Sequence, residues 1–161
     1  MVIELALQHG QTALVDDEDY EKVSVYKWSA IWHRNTKRYQ VRGYVNGRMT
    51  GIHRVIMDAP ANLHVDHING DPMDNRRCNL RLCNNQQNHQ NMRKHRDGSS
   101  RYKGVSWLQS QRKWVAQIYV EGHNIVLGTF VDEKQAAQTY DEAAAKHFGE
   151  FAWLNSVHIK D

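Results

Sequence analysis

A polar segment, residues 66–88, constrains this chain more than any other feature of its sequence. It reads DHINGDPMDNRRCNLRLCNNQQN. The pair Asp66-His67 opens the segment, Asn79 follows His67 by 12 residues, and Asn88 follows Asn79 by nine. Few residues between them are apolar, and many favour turns. A hairpin and a short helix would bring a carboxylate, an imidazole and two amides together. Such a group can hold one divalent cation and one activated water, which phosphodiester hydrolysis requires.

The same segment predicts a strand–loop–strand–helix unit. Residues 63–67 and 80–83 have strand character, and the cluster at 69–72 predicts a turn between them. Asn84 is a predicted helix N-cap, with Gln87 at the third helical position, as in a capping box. We expect the helix to continue to about residue 93.

Each of the four polar side chains has a predicted role. His67 is the expected general base, because an imidazole titrates near neutral pH. Asn79 is expected to hydrogen-bond the other ring nitrogen and fix the tautomer. Asp66 and Asn88 are expected to bind Mg²⁺ or Mn²⁺ through oxygen atoms. Asn88 is preferred to His89, since a shift of one residue rotates a helical side chain by about 100°.

Asp66 and His67 pose a geometric problem because neighbouring residues on a strand point to opposite faces. Both can reach one site only if the strand ends or twists at this point. The pair Asn69-Gly70 lies directly beyond and favours such an ending.

The pattern DHxNGDxxDN…NLR…N resembles the HNH nuclease family. The similarity is to the His-Asn-Asn form of phage and intron-encoded homing endonucleases. It covers about residues 52–93 and implies a ββα-metal nuclease unit with one divalent ion per active site. In that family the four positions above have the same four roles.

Two cysteines bear on metals and on the cellular compartment. Some related proteins hold structural zinc on paired Cys-x-x-Cys motifs, whereas Cys78 and Cys83 are a lone pair, five residues apart. Four-ligand zinc needs two more ligands, so we expect two buried thiols and no zinc. The first eleven residues do not resemble a signal peptide, and no apolar stretch is long enough to span a bilayer. We therefore expect a cytoplasmic protein without membrane contacts, in the host cytoplasm if a phage encodes it.

Residues 2–56 have the alternation and turn residues of a β-rich region. Asn46-Gly47 predicts a tight hairpin, because these residues tolerate positive φ angles. Trp28 and Trp32 are predicted core residues. The acidic run at 16–19 is expected in an exposed loop or at the start of a helical turn.

Basic residues are concentrated in the middle of the chain, although the net charge of the 161 residues is only +3. A dense positive block is expected for a protein with a polyanionic partner. Against a single acid, Asp97, residues 76–113 hold Arg76, Arg77, Arg81, Arg93, Lys94, Arg96, Arg101, Lys103, Arg112 and Lys113.

Residues 101–155 predict a second domain after a polar linker at 94–100. Three strand-like runs precede a helix at 132–148, for which Asp132 is the N-cap and Gly149 the stop. The expected architecture is a small three-stranded antiparallel sheet packed on one helix. The whole chain is then α+β, with a β-rich N-terminal region and nuclease unit in residues 1–93.

The motifs YKGV, LGTF, YDxAA and a terminal LN resemble the Apetala/ethylene-response-factor DNA-binding domain. In that family the sheet lies in the major groove of DNA. Ser106, Tyr119 and Val126 replace its usual Arg, Arg and Trp, so the plant sequence preference is not transferable. Trp114 is equally compatible with a core position. The DNA contacts predicted from the resemblance and the adjacent basic residues are Arg93, Lys94, Arg96, Arg101, Lys103, Ser106, Trp107, Arg112, Lys113, Trp114, Gln117 and Tyr119.

The sequence thus predicts a metal-dependent endonuclease of the homing type that acts on double-stranded DNA as a monomer or weak homodimer. The alternative is a non-cleaving DNA-binding regulator with a degenerate HNH fold. An RNA-processing nuclease is a weaker alternative, because A-form RNA hides the groove that such a sheet reads.

Overall fold

The computed structural model describes residues 1–34, 38–94 and 98–159. It contains two compact units, Met1–Asn88 (the N-terminal unit) and His89–Asp161 (the C-terminal unit). Both are built from small antiparallel sheets and short helices, which confirms the α+β class. The finer division into 1–93, 94–100 and 101–155 remains a prediction. Within the described ranges, no helix is long and apolar enough to cross a membrane.

The N-terminal unit begins with a hairpin and a helix. β1 (Val2–Ala6) pairs antiparallel with β2 (Thr12–Asp16), and α1 (Asp17–Ser24) follows directly. The acidic run therefore starts a helix, where negative charge favours the N-terminal end of the helix dipole. Asp19 is nevertheless buried.

A three-stranded antiparallel sheet follows. β3 (Trp28–His33) pairs with β4 (Arg38–Val45), which pairs with β5 (Arg48–Gly51). Asn46 and Gly47 join β4 to β5 at φ angles of 49° and 77°, which confirms the predicted hairpin.

The two tryptophans of β3 differ in environment. Trp28 is 2% exposed and its indole Nε1–H donates to the Val23 carbonyl, so its predicted core position is confirmed. The same prediction is wrong for Trp32, which is 50% exposed. β3 and β4 continue beyond the core there, and Trp32 packs edge-on against its cross-strand partner Tyr39 with ring centroids 5.1 Å apart.

The predicted ββα unit is present. After α2 (Ile52–Ile56), β6 (His64–His67) pairs antiparallel with β7 (Leu80–Cys83), and α3 (Asn85–Gln90) follows. The α3 helix ends at Gln90, earlier than expected.

The capping box at the start of α3 is confirmed by two reciprocal hydrogen bonds. The Asn84 N–H donates to Gln87 Oε1 at 2.9 Å, and the Gln87 N–H donates to Asn84 Oδ1 at 2.8 Å. These bonds satisfy backbone donors that lack partners at a helix start, and they fix where the helix turns away from β7.

One apolar core unites the N-terminal unit. It joins both early strands, both early helices, the central sheet and β7, so the ββα unit shares its core with the preceding fifty residues. Its buried members are Leu5, Leu7, Ala13, Val15, Val23, Trp28, Val41, Ile52, Ile56 and Leu80.

The C-terminal unit has the predicted sheet-on-helix architecture. β8 (Val105–Leu108), β9 (Lys113–Val120) and β10 (His123–Phe130) form an antiparallel sheet with β9 in the centre. The sheet packs on α4 (Glu133–Phe148), and α5 (Asn155–His158) lies near the end of the chain.

The predicted ends of α4 are confirmed. Asp132 caps its N-terminus by accepting hydrogen bonds from the backbone N–H groups of Lys134 and Gln135. Gly149 is the C-cap residue, at a φ of 54°. On the sheet side of α4, Ala136, Ala137 and Ala144 are buried, so the helix approaches the strands closely.

The terminal Leu-Asn motif has a structural role. The buried Asn155 accepts a hydrogen bond from the Lys103 N–H at 2.7 Å and donates one to the Lys103 carbonyl at 3.0 Å. Asp141 on α4 accepts hydrogen bonds from the backbone N–H groups of Asn155 and Ser156. Two buried side chains therefore tie both ends of the unit to its helix.

Gly104 and Gly122 provide a matched test of this packing. Both have positive φ angles, 75° and 86°. A Cβ on Gly104 would lie 1.8 Å from the Tyr140 ring, whereas a Cβ on Gly122 would meet nothing within 4 Å. We expect Gly104→Ala to lower the free energy of unfolding by about 3 kcal/mol or more, through overpacking and strain. Gly122→Ala should cost about 1 kcal/mol. Denaturant unfolding followed by tryptophan fluorescence measures both, and equal effects would contradict the Tyr140 contact.

Candidate active site

The loop between β6 and β7 is held by side-chain hydrogen bonds. The Asn79 amide accepts from the Asn69 N–H at 2.9 Å and donates to the Asp74 carbonyl at 2.8 Å. Asn69 also donates from Nδ2 to the Asp74 carboxylate at 3.0 Å. Asp74 and Asn79 are buried, so each of these bonds replaces water that the groups have lost.

Two arginines anchor the loop at its far end. Arg76 binds the Asp74 carboxylate with both Nε and Nη2 at 2.7 Å. Arg77 binds Asp19 of α1 in the same two-pronged manner, at 2.8 and 2.7 Å. The side chain of Asp19 is almost fully buried, so this pair links the loop firmly to the first helix.

His67 is oriented by Asn75, a residue for which no catalytic role is predicted from the sequence. Asn75 Oδ1 lies 3.1 Å from His67 Nε2, and Asn75 Nδ2 donates to the Pro72 carbonyl at 3.0 Å. The amide oxygen thus faces the ring, so Nε2 carries the hydrogen and the neutral ring has its lone pair on Nδ1. Asn75 is completely buried. In the local sequence Asp74-Asn75-Arg76, only this three-dimensional contact distinguishes Asn75 from an ordinary turn residue.

The predicted contact between Asn79 and the His67 ring is wrong. Both hydrogen bonds of the Asn79 side chain go to the loop, to Asn69 and to Asp74. The Asn79 backbone carbonyl accepts the Ile68 N–H at 2.8 Å, so Asn79 positions His67 indirectly, by fixing the turn that follows it.

A second imidazole lies against His67. The rings of His53 and His67 meet edge-on with centroids 5.2 Å apart. The His53 ring covers Gly51, where a Cβ would lie 2.5 Å from it. Burial, followed by the charges of His67, Arg54 and Arg42, lowers the pKa of His53 to about 3. Burial also lowers the pKa of His67, against the hydrogen bond to Asn75, so both rings are neutral at neutral pH. The sequence analysis missed His53 because it lies outside the polar segment.

Asp66 binds a cation within the protein. Its Oδ2 accepts hydrogen bonds from Arg81 Nε at 3.0 Å and from Nη2 at 2.8 Å, and the two residues are cross-strand partners. β6 ends at His67, and the Gly70 N–H donates to the His67 carbonyl in the turn beyond. The strand thus ends where the sequence required, although Asp66 faces Arg81 while His67 faces Asn75 and His53.

Asn88 lies on α3 and is half-buried, whereas His89 is exposed. Among the described residues, the Asn88 side chain makes no hydrogen bond, so its amide oxygen is available as a ligand. Its backbone N–H donates to the Asn84 carbonyl at 3.0 Å, as the first turn of the helix requires.

One cluster of carboxylates, Asp16, Glu18 and Asp19, is close enough to hold a cation. Arg77 already occupies it. The Arg77 N–H donates to Asp16 at 2.7 Å, and the guanidinium binds Glu18 and Asp19. This cluster is therefore part of the anchor of the loop.

Comparison with known proteins places the chain in a family. A family model described as HNH endonuclease matches residues 51–90. A protein of Acanthamoeba polyphaga mimivirus, described as an uncharacterized HNH endonuclease, is 33% identical over 154 residues, which cover 92% of this chain and 76% of the relative. The chain belongs to the HNH endonuclease family. This membership supports a nuclease function on DNA.

Two further relatives match parts of this HNH endonuclease. Protein 3.8 of Escherichia phage T7 is 34% identical over 67 residues, or 40% of this chain and 55% of the phage protein. A rice AP2/ERF and B3 domain-containing protein is 49% identical over 57 residues, or 35% of this chain and 15% of the plant protein. No solved structure is significantly similar to the chain.

The register of the C-terminal sheet separates the predicted DNA contacts of this HNH endonuclease by face. Ala116 and Ile118 of β9 are buried against α4, so the residues alternating with them lie on the outer face. Ser106 shares that face because it pairs with Val115. Of the predicted residues, the outer face carries Ser106, Lys113, Gln117 and Tyr119.

Trp107 and Trp114 are not on the outer face, which corrects the predicted position of Trp107 and agrees with the core alternative for Trp114. They are cross-strand partners with ring centroids 4.9 Å apart, and Trp114 packs on the core under the sheet. Trp107 lies at the edge of this layer and its Nε1–H donates to Gln109 at 2.8 Å. On a strand with one buried face, an aromatic side chain is stabilised by the large apolar area that it buries when it points to the core.

The predicted basic contacts occupy varied environments. Arg112 and Arg101 are exposed, and Arg101 donates to the Tyr102 hydroxyl at 2.7 Å. Arg93 is also exposed and lies over the Trp153 ring at 5.2 Å. Lys94 donates to the Gly98 carbonyl at 3.1 Å. The predicted contact Arg96 lies outside the described residues.

The prediction of two buried thiols is right for Cys83 and wrong for Cys78. Cys83 is buried on β7, and burial raises the pKa of its thiol to about 11. Cys78 lies in the short 3-10 turn Arg77–Asn79 and is exposed, because its two neighbours supply the inward-facing contacts there.

Lys103 differs most from a phosphate-binding surface lysine. Its Nζ donates to the Gln90 carbonyl at 2.6 Å, and burial lowers its pKa to about 8 from 10.5. Burial of the charged amine therefore destabilises the folded state.

A pH-dependent stability measurement tests the burial of Lys103. The unfolded chain binds this proton more tightly than the folded chain, so the cost is largest below pH 8 and shrinks towards pH 10.5. Relative to Lys103→Met, the free energy of unfolding of the wild type should rise by about 2 kcal/mol between pH 7 and pH 9.5. Denaturant titrations at both pH values measure this difference. The exposed Lys146 supplies the control Lys146→Met, and a Lys103→Met curve parallel to the wild type would refute the prediction.

Proposed function

We propose that this HNH endonuclease hydrolyses phosphodiester bonds of double-stranded DNA in a metal-dependent reaction at His67. The observation that carries the proposal is the contact between Asn75 Oδ1 and His67 Nε2 at 3.1 Å, which assigns the lone pair of a neutral imidazole to Nδ1. Simple DNA binding requires no such fixed tautomer.

The proposed chemistry begins with proton transfer from water to Nδ1 of His67. The water oxygen attacks phosphorus and the bond to the 3′-oxygen breaks, which leaves a 5′-phosphate and a 3′-oxyanion. The 3′-oxyanion takes a proton from solvent water to become the 3′-hydroxyl, and His67 returns its proton to solvent. The lowered pKa of His67 keeps the ring unprotonated before the attack. Asn75 can continue to accept a hydrogen bond from Nε2 while the ring is positively charged, because the amide oxygen needs no rearrangement.

Asp66 and Asn88 are the proposed ligands of Mg²⁺ or Mn²⁺. Asp66 already binds the cationic Arg81 at 2.8 Å, and an amide oxygen such as that of Asn88 is a suitable neutral ligand. When bound, a divalent cation supplies stabilisation of the charge that develops on the phosphate and leaving oxygen.

The C-terminal unit is proposed as a DNA-binding module of the Apetala/ethylene-response-factor type. The supporting observations are the 49% identity to the rice AP2/ERF and B3 domain-containing protein and the outer sheet face, which carries the half-buried Lys113 and Gln117 and the exposed Tyr119. A nuclease joined to such a module would choose its cleavage site, as a homing-type enzyme does.

A plasmid-nicking assay with His67→Ala tests the proposed reaction. Loss of the general base should slow nicking of supercoiled DNA at least about 100-fold, and EDTA should stop the wild type. His64→Ala is the matched control, since His64 is exposed on the same strand. Duplex binding of His67→Ala should stay within a few fold of the wild type. Nicking that survives in His67→Ala would contradict His67 as the general base, whereas a wild type that binds duplex without cutting any DNA would favour the regulator.

Charge reversal tests the C-terminal module. Arg112→Glu with Lys113→Glu should weaken duplex binding about 10-fold or more and reduce the salt slope of log K by about two, because two phosphate contacts are lost. Lys134→Glu with Lys146→Glu makes the same charge change on the exposed side of α4 and should have a much smaller effect. Fluorescence anisotropy at several salt concentrations measures both. Equal losses would mean that only net charge matters.

A further inference from the structure

A second basic region lies in the N-terminal unit, outside the polar segment and the C-terminal sheet. Residues 26–54 contain no Asp or Glu. The Lys and Arg residues in this stretch are Lys27, Arg34, Lys37, Arg38, Arg42, Arg48 and Arg54. An acid-free run of this length in a chain with 18 Asp and Glu is a candidate polyanion surface.

The register of the central sheet sorts these residues by face. Trp28 and Val41 are buried in the core. Every second residue counted from them along β3 and β4 therefore lies on the inner face of the sheet. The opposite, outer face of β4 carries Arg38, Gln40, Arg42 and Tyr44 in one column. Tyr44 is 67% exposed at the end of this column.

The outer face is continuous with the candidate active site. Gly51 is the cross-strand partner of Arg42, so a Cβ on Gly51 would point to the same face. The His53 ring occupies that place, and its other side meets the His67 ring at 5.2 Å. The charge of Arg42 contributes to the lowered pKa of His53, which is consistent with this proximity.

Arg38 connects the other end of the column to the active-site loop. Its Nη1 donates to the Gly70 carbonyl at 2.8 Å, in the turn that follows His67. The column of β4 therefore runs beside both His67 and the loop, so a polymer held at His67 can extend over it.

Structural contacts account for Arg54 but not for Arg42. The Arg54 guanidinium donates to the carbonyls of Ala59, Pro60 and Leu63 and so closes the connection after α2. Arg42 and Gln40 make no side-chain hydrogen bond or ion pair with any residue in the described ranges. A half-buried guanidinium without an internal partner suits an anionic ligand.

We propose that the outer face of β3–β5 binds the DNA duplex next to the scissile phosphate. In this proposal Arg42 contacts a backbone phosphate and Gln40 contacts a base edge. This inference rests on the proposed nuclease function. It adds a contact surface within the N-terminal unit that is independent of the C-terminal sheet. Arginine binds phosphate with a two-pronged geometry, and a glutamine amide can pair with a base edge, so the column has both contacts that DNA recognition uses.

Binding and cleavage by the full chain test the surface. Arg42→Ala should weaken duplex binding, measured in a His67→Ala background, about 5-fold or more and reduce the salt slope by about one. Arg42→Lys should retain the slope. Arg48→Ala is the matched control, because Arg48 pairs with Val45 on the other face of the same sheet and is exposed. It should change affinity less than 2-fold. Gln40→Ala should weaken binding with an unchanged slope, since it removes no charge.

Photo-crosslinking places the DNA without depending on affinity. Tyr44 and Tyr39 are exposed tyrosines on opposite faces of β4, at 67% and 43% exposure. The photoreactive p-azidophenylalanine in place of Tyr44 should crosslink to a labelled duplex, and in place of Tyr39 it should not.

The outcomes separate this inference from the proposed function. A wild type that binds and nicks DNA, together with an Arg42→Ala variant that matches Arg48→Ala and equal crosslinking from both tyrosine positions, would overturn the surface alone. A wild type that neither binds nor nicks duplex DNA would overturn the proposed function and the surface with it.

Discussion

The active-site half of this protein depends on hydrogen bonds between side chains and backbone in one loop. Few residues between His67 and Leu80 are apolar, so hydrophobic burial cannot fix the loop. Asn79 and Asp74 fix it instead, because each is buried and each satisfies backbone or amide groups of the turn. A single lost partner would leave a buried polar group unsatisfied, at about 1–3 kcal/mol. That cost explains why the loop retains two amides and a carboxylate in buried or partly buried positions.

The environment of His67 follows from this rigid loop. The turn brings Asn75 Oδ1 to 3.1 Å from Nε2, and His53 can lie edge-on against the ring because Gly51 has no side chain to fill its place. Burial then keeps both imidazoles neutral. Asp66 is compensated by Arg81 on the neighbouring strand. The site therefore places a neutral imidazole and a paired carboxylate on two adjacent residues of one strand.

Local signals in the sequence predicted the elements well. The capping box at Asn84 and the Asn46-Gly47 hairpin depend on neighbouring residues alone, and both are present. The partner of His67 could not be predicted, since Asn75 and Asn79 are both amides and only the folded turn decides which one faces the ring. Similarly, the exposure of Trp32 depends on how far the core extends under the sheet, which strand alternation does not reveal.

A main-chain link between β2 and the loop between β6 and β7 joins the first hairpin to a distant part of the sequence. The Leu14 N–H donates to the Met73 carbonyl, and the Asn75 N–H donates to the Leu14 carbonyl, both at 2.8 Å. The segment matched by the family model, residues 51–90, is thus hydrogen-bonded through its main chain to a strand far outside it. The conformation of this segment therefore depends on residues that the family model does not include. Recombination that moved the motif without the first hairpin would transfer the candidate site residues without the strand that holds their loop in shape.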